Sequence, residues 1–326
     1  MRAFVGTAAA VVLASTVQID RISLTPLQGQ DRVAGIVAEV RKALGGEDKV
    51  ANLKGLTAEG PFRRSMGGRD MEGTVTITIA RPDKMRRVEE MAMGGMVGGP
   101  TIERTSVLAG TTAWDDTANR GGMGGGMQII MRGPGDGPGP GGGAGPTPEQ
   151  LNEARVRRMR VQLQRLMAAL VAEGPQPWVD AGIAESPDGK ADILEAKEET
   201  GRTLRLFIDQ GTHLPLMVQY EDPKPMVMIN GGPRPGGPGR GPGGAPGAGG
   251  PPPMSQEEVQ KRVEEIRRNP PPLGTYAMHL AEHKKVDGVM LPHKIDISLD
   301  GQPNEEWTVE KYKVNPTIKA DTWEKK

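Results

Sequence analysis

"VDGVMLPHKIDISLDGQPNEEWTVEKYKVNP", residues 286–316, reads as two strands joined by a turn. Successive side chains of a strand point to opposite faces. Val289, Leu291, Ile295, Ile297 and Leu299 therefore share one side, with His293 among them. Lys294, Asp296, Ser298 and Asp300 take the other. Asp300-Gly301 is a hairpin signal, and "EEWTVEKYKV" (305–314) is the returning strand. The alternation places Ile295 and Ile297 on the concave, apolar side of a sheet and Lys294 and Asp296 in solvent. A strand face this apolar needs a cover, either a core or a ligand.

The same period of two recurs upstream. Val75, Ile77 and Ile79 alternate with Thr74, Thr76 and Thr78; Pro82-Asp83 turns the chain, and Met85 to Met91 returns. "LKGLTAEGPFRR" (53–64) and Thr105 to Trp114 read as further strands. Between 191 and 222 three strands are expected, with turns at Gly201 and Gln210-Gly211. Leu204, Leu206 and Ile208 share one face there, as do Leu214, Leu216, Val218 and Tyr220.

Two segments carry helical spacing. Val33, Ile36, Val37, Val40 and Leu44 follow Asp31 and end at Gly45-Gly46. Thr147 caps a second helix, with Pro148 in its first turn and Gln150 completing a capping box. It runs to about Ala172 and buries Leu151, Met159, Leu163, Leu166, Met167 and Leu170. Its arginines 155, 157, 158, 160 and 165 read as a solvated face, with anionic lipid as an alternative contact. A short charged helix is expected from Ser255 to Asn269.

The fold class is α+β: a curved antiparallel sheet or incomplete β-barrel, with helices on its concave side and two disordered Gly/Pro-rich loops. Those loops are the tracts 120–146 and 230–253, where much of the chain's 47 Gly and 29 Pro is concentrated. Arg2 followed by an apolar run from Ala3 to about Ala14 reads as a signal peptide, so 1–29 is a leader and 30–326 a single domain interrupted by the tracts. The expected location is periplasmic or secreted, with no transmembrane segment after leader cleavage.

Composition excludes several classes. Lys+Arg and Asp+Glu both total 41, and aromatics are 3%, which argues against nucleic acid as a partner. With no cysteine, thiol chemistry and disulfides are out. Neither glycine tract leads into Gly-Lys-Ser/Thr, and no Gly-x-Ser-x-Gly elbow occurs. His279 and His283, four apart on a strand, have Cα atoms about 13 Å apart, too far for one metal ion. Glu89-Glu90 and Glu305-Glu306 put adjacent charges on opposite faces and read as solvated. Methionine is abundant at 18 residues; Met91, Met93 and Met96 are a candidate Cu(I) cluster, an adaptable apolar lining, or ordinary filler. No cofactor is expected.

Five pieces in order resemble a known family: "LGGEDKVANLKGLTAEG", "TVTITIARPDKMRR", "LRLFIDQGTHLPLMVQY", "VDGVMLPHKIDIS" and "WTVEKYKVNPTIKADTWEKK". They are similar to the LolA/LolB-type superfamily of outer-membrane lipoprotein sorting. There a Pro-Asp-Lys strand precedes an Ile-Asp hairpin with Leu-Pro, and Gly-x-x-Leu-Pro and Asn-Pro strands close the chain. The resemblance implies an incomplete antiparallel barrel, helices plugging its mouth, and an apolar cavity that shields acyl chains. Scarce aromatics and the two Gly/Pro tracts depart from the pattern and favour a generic lipid-binding role over lipoprotein shuttling.

The expected function is a non-enzymatic periplasmic carrier or binder of a lipid or acylated protein ligand. An envelope-associated structural or interaction module, with an envelope protein as partner, is the alternative; copper binding is a second. The candidate cleft residues are Val75, Ile77, Ile79, Leu204, Leu206, Ile208, Leu214, Leu216, Val218, Val289, Leu291, Ile295 and Ile297.

Overall fold

Period-two segments joined by tight turns can pair only antiparallel with their chain neighbours. The computed structural model shows that arrangement and describes residues 26–66, 69–92, 101–120, 147–187, 189–225 and 272–325. The signal-peptide core, nearly all of both Gly/Pro tracts, the helix expected at 255–269, Met93 and Met96 lie outside the described residues.

The strands are β1 Gly55–Met66, β2 Arg69–Ala80, β3 Lys84–Ala92, β4 Thr101–Ala109, β5 Thr112–Arg120, β6 Val179–Ser186, β7 Gly189–Lys197, β8 Thr203–Asp209, β9 Pro215–Pro223, β10 Leu273–Val286, β11 Val289–Leu299, β12 Gln302–Thr308 and β13 Lys311–Val314. The helices are α1 Pro26–Ala43, α2 Glu47–Ala51 and α3 Pro148–Val171, with a 3₁₀ turn over Ala320–Trp323. The thirteen strands belong to one open sheet in the order β5-β4-β3-β2-β1-β12-β11-β10-β9-β8-β7-β6, with β13 also paired to β1. The α+β class holds.

The chain divides into two compact units. One comprises residues 1–53, 164–220 and 275–303; the other comprises 54–163, 221–274 and 304–326.

In the first unit, β7, β8 and β9 form a meander, and β10 and β11 a hairpin. Asp287 and Gly288 join β10 to β11 with φ of 49° and 92°, a two-residue turn that needs positive φ at both positions. Asp300 and Gly301, at 51° and 78°, repeat this after β11. Strand β6, which precedes β7, is absent from the sequence reading; its pattern of partial burial carries no clean alternation.

Strand β9 corrects one face assignment. Phe207 pairs with Met217 and Ile208 with Pro215, so Leu216 is the extra residue of a bulge. Pro215 is buried in its place and Leu216 is 39% exposed, while Val218 and Tyr220 are buried as the alternation requires. Leu214 precedes the strand.

In the second unit, β1 to β5 form a continuous meander. The segment expected as one strand at Thr105 to Trp114 is two, because the chain turns at Gly110, whose φ is 64°. The returning strand "EEWTVEKYKV" also breaks in two. β12 pairs with Phe62 to Arg64, and β13 with Leu56 to Glu59. Gly60 lies at the break: a Cβ there would stand 1.9 Å from the Thr308 carbonyl oxygen. Backbone approach this close admits only glycine.

Helix α3 starts as its sequence dictates. Thr147 N donates to Gln150 Oε1 at 3.0 Å, and Gln150 N to Thr147 Oγ1 at 3.3 Å. Met159, Leu163, Leu166, Met167 and Leu170 are buried, and Leu151 is half-buried.

Candidate functional site

The candidate face in the first unit is continuous and apolar. Leu194, Leu206 and Val218 stand opposite one another across β7, β8 and β9, and Ala196, Leu204 and Tyr220 form the next row. Tyr220 stacks on Tyr276 of β10, with centroids 5.4 Å apart, which carries the face onto the β10–β11 hairpin. There Ile295 opposes Leu280, and Ile297 opposes Met278. Leu204, Leu206, Ile208, Val218, Val289, Leu291 and Ile295 are at most 1% exposed. Ile297 is half-buried. On the other side of β11, the Lys294 and Asp296 side chains are 45% and 38% exposed and 3.2 Å apart.

Helices meet this face through charge. Arg32 of α1 hydrogen-bonds Asp180 and also Asp192, the latter at 2.7 Å, and Gln210 Nε2 donates to the same Asp192 oxygen at 2.9 Å. Asp192 is in step with Leu194 on β7. Arg165, near the end of α3, makes a bidentate pair with Glu198 at 2.7 and 3.0 Å, and its guanidinium lies 3.7 Å from the Tyr220 ring centroid. Thr200 Oγ1 donates to the second Glu198 oxygen at 3.2 Å. Arg165 and Glu198 are both 4% exposed. The arginines of α3 are therefore not one solvated face: Arg165 is interior, Arg158 is paired with Asp115 at 2.7 Å, and of the five only Arg157 is exposed.

The second unit's face is banded. Ile79, Met85, Leu108 and Ala113 form one row across β2 to β5. The next is Ile77, Arg87, Ser106 and Asp115, and the third Val75, Glu89, Arg104 and Thr117. Gly73, Met91 and Ile102 follow. Val75, Ile77 and Ile79 are buried at 0–2% exposure, yet two of the four rows carry ions.

Four of those ions form a closed cluster. Arg64 donates to Glu89 at 2.7 Å and to Glu305 at 2.9 Å. Arg87 donates to the same two carboxylates at 2.7 and 3.0 Å. Glu89 is 5% exposed and Glu305 7%, so these glutamates are not solvated, whereas Glu90 and Glu306 are. Burial alone would raise the Glu89 carboxyl, but Arg87 and Arg64 outweigh it and hold the group well below the ordinary glutamate range. Arg64 is held above the ordinary arginine value: Glu305 and Glu89 overcome the cost of burying its charge. Parity is the signal available for this cluster. Arg64 shares its face with Phe62, Arg87 and Glu89 with Met85 and Met91, and Glu305 with Trp307. Buried charges of opposite sign on strands compensate one another.

Met91 is a core residue, 6% exposed and placed between Gly73 and Ile102. His279 and His283 share one face of β10; burial lowers both imidazoles, and for His279 the Asp296 charge opposes the shift. Among the described residues, no group of three or more His, Asp or Glu is placed to hold a metal ion, and no helix is long and apolar enough to cross a membrane.

No family model matches the chain, and no curated protein matches it. Solved structures do. A DUF1329 family protein from Desulfovibrio piger aligns over 90% of this chain and 97% of its own, at 9% identity and a TM-score of 0.41. A LolA superfamily protein from Nitrosomonas europaea aligns over 91% and 98%, at 8% identity and 0.41. A domain assigned to outer membrane lipoprotein sorting, from Vibrio parahaemolyticus, aligns over 91% and 96%, at 10% identity and 0.42.

Proposed function

We propose that the protein is a non-enzymatic, extracytoplasmic carrier or binder of a lipidic or acylated ligand. The supporting observation is the uninterrupted apolar face of the first unit, from Leu194 through Leu206 and Val218 to Leu280 and Ile295. It is met by helices held through ion pairs, Arg32 with Asp180 and Asp192, and Arg165 with Glu198. An acyl chain on such a face would gain about 0.8 kcal/mol per CH₂ and need no polar anchor. In the second unit the candidate residues Val75 and Ile77 stand within the ionic rows and Ile79 in the apolar row next to them.

The near-complete burial of the same residues favours a second reading, an envelope-associated structural or interaction module with a filled core. Ile297→Asp separates the two. If the face is a cleft wall, the variant folds and loses the lipid that mass spectrometry finds with protein purified from membranes. In a filled core the new carboxylate has no partner, and the variant unfolds or fails to express. A folded variant that retains its lipid contradicts both readings.

A further inference from the structure

With the arginines that reach them from β1 and α3, the ionic rows of the second unit gather more guanidinium groups than carboxylates among the described residues. Glu89 and Glu305 are each shared by Arg64 and Arg87. Arg104 stands beside Glu89 in register and acts on both Glu89 and Asp115 through its charge, but makes no hydrogen bond or ion pair within 4 Å among the described residues. Asp115 is already taken: Ser106 Oγ donates to one oxygen at 2.6 Å and Arg158 to the other at 2.7 Å. That leaves Arg155 with its Nε 3.7 Å from Asp115, beyond hydrogen-bond reach, although the atom is buried. Among the described residues, and by these contacts, five guanidinium groups thus gather around three carboxylates.

A buried donor without an acceptor and a cation without a hydrogen-bonded partner, both next to Asp115, are a costly arrangement that an anion relieves. The place is reachable. Arg104 is half-buried, Arg155 is 36% exposed, and Thr117, next to Arg104 on β5, is exposed. Apolar rows flank it: Met85 and Leu108, fully buried, on one side, and Met91 with the half-buried Ile102 on the other.

We propose that Arg104 and Arg155 receive the anionic head group, phosphate or carboxylate, of an amphiphile whose chain lies on the Ile102 side of the site. The inference rests on the lipid-binding reading and narrows it to anionic amphiphiles.

Calorimetric titration of the full-length protein with dodecyl phosphate, dodecyl maltoside and inorganic phosphate, each below its micellar concentration, tests this. Dodecyl phosphate is expected to bind at least about tenfold more tightly than the maltoside, the worth of one charge-assisted hydrogen bond. Arg104→Gln and Arg155→Gln should each remove about tenfold of that and leave maltoside binding unchanged. Arg41→Gln, in the first unit, should change neither. Equal affinity for the two amphiphiles, or a preference that survives in the double variant, overturns the head-group site while leaving the carrier reading intact. Binding of neither amphiphile sinks the carrier reading as well. Inorganic phosphate binding as tightly as dodecyl phosphate, and lost in Arg104→Gln, overturns the amphiphile and identifies a free-anion site.

Discussion

Removing the Glu198 carboxylate takes the bidentate acceptor from a guanidinium inside the first unit. The Glu198 side chain is fully buried and that of Arg165 is 5% exposed, so water cannot replace the lost partner. Two hydrogen bonds disappear, at 2.7 and 3.0 Å, while the Tyr220 ring stays beside the guanidinium. Breaking one half of a buried pair costs about 3–5 kcal/mol. The ring returns about 1–2 kcal/mol at most, and part of that already exists in the intact protein. Glu198→Ala should therefore destabilise by about 3–4 kcal/mol, a large share of a total of about 5–15. With a urea slope of about 3 kcal/mol/M, the midpoint followed by circular dichroism falls by about 1 M. The double variant Arg165→Met/Glu198→Leu removes both charges and keeps the volume, and it should recover most of the loss. Arg205→Ala is the comparison: its pair with Glu195 is 38% and 33% exposed and should be worth below about 1 kcal/mol. A Glu198→Ala midpoint within 0.3 M of wild type, taking the ~3 kcal/mol/M slope, or a double variant as weak as the single, would refute the reasoning.

Three further outcomes follow from the same packing. Glu89 titrates lower in the folded protein than its ordinary value of 4.5, so the unfolded chain binds protons first as pH falls. Its contribution is complete above that value and drains away below it, and Glu89→Gln should flatten the acid limb of a plot of urea midpoint against pH. Gly60→Ala drives a Cβ into the Thr308 carbonyl, so β12 and β13 cannot both stay on β1. Hydrogen exchange should accelerate along both strands, and unchanged protection there would contradict the close approach. Leu216→Lys places a charge at the exposed bulge and should shift stability by no more than about 0.5 kcal/mol. A large loss by thermal melting would mean that Leu216 is covered after all.

The sequence by itself determined the elements whose signal is local. Period two marked β2, β3, β8 and β11, because alternate residues of a strand must face the same side whatever lies beyond it. The capping box marked the start of α3, since its two hydrogen bonds close within four residues. Asp300-Gly301 marked a hairpin because few residues tolerate positive φ. The faces carrying Leu204, Leu206, Ile208 and Ile295 followed from the same alternation and are buried. What tertiary structure alone decided involves pairing partners that a strand's own alternation does not reveal. The bulge that turns Leu216 outward exists because β9 must stay in register with β8. The break between β12 and β13 falls where their shared partner β1 presents Gly60. Glu89 and Glu305 lie 216 residues apart, and each is tolerated inside only because folding brings Arg64 and Arg87 to both. A charged side chain on a strand carries no mark of its partner in local spacing; the cost of burial is set by the three-dimensional neighbours that pair with it.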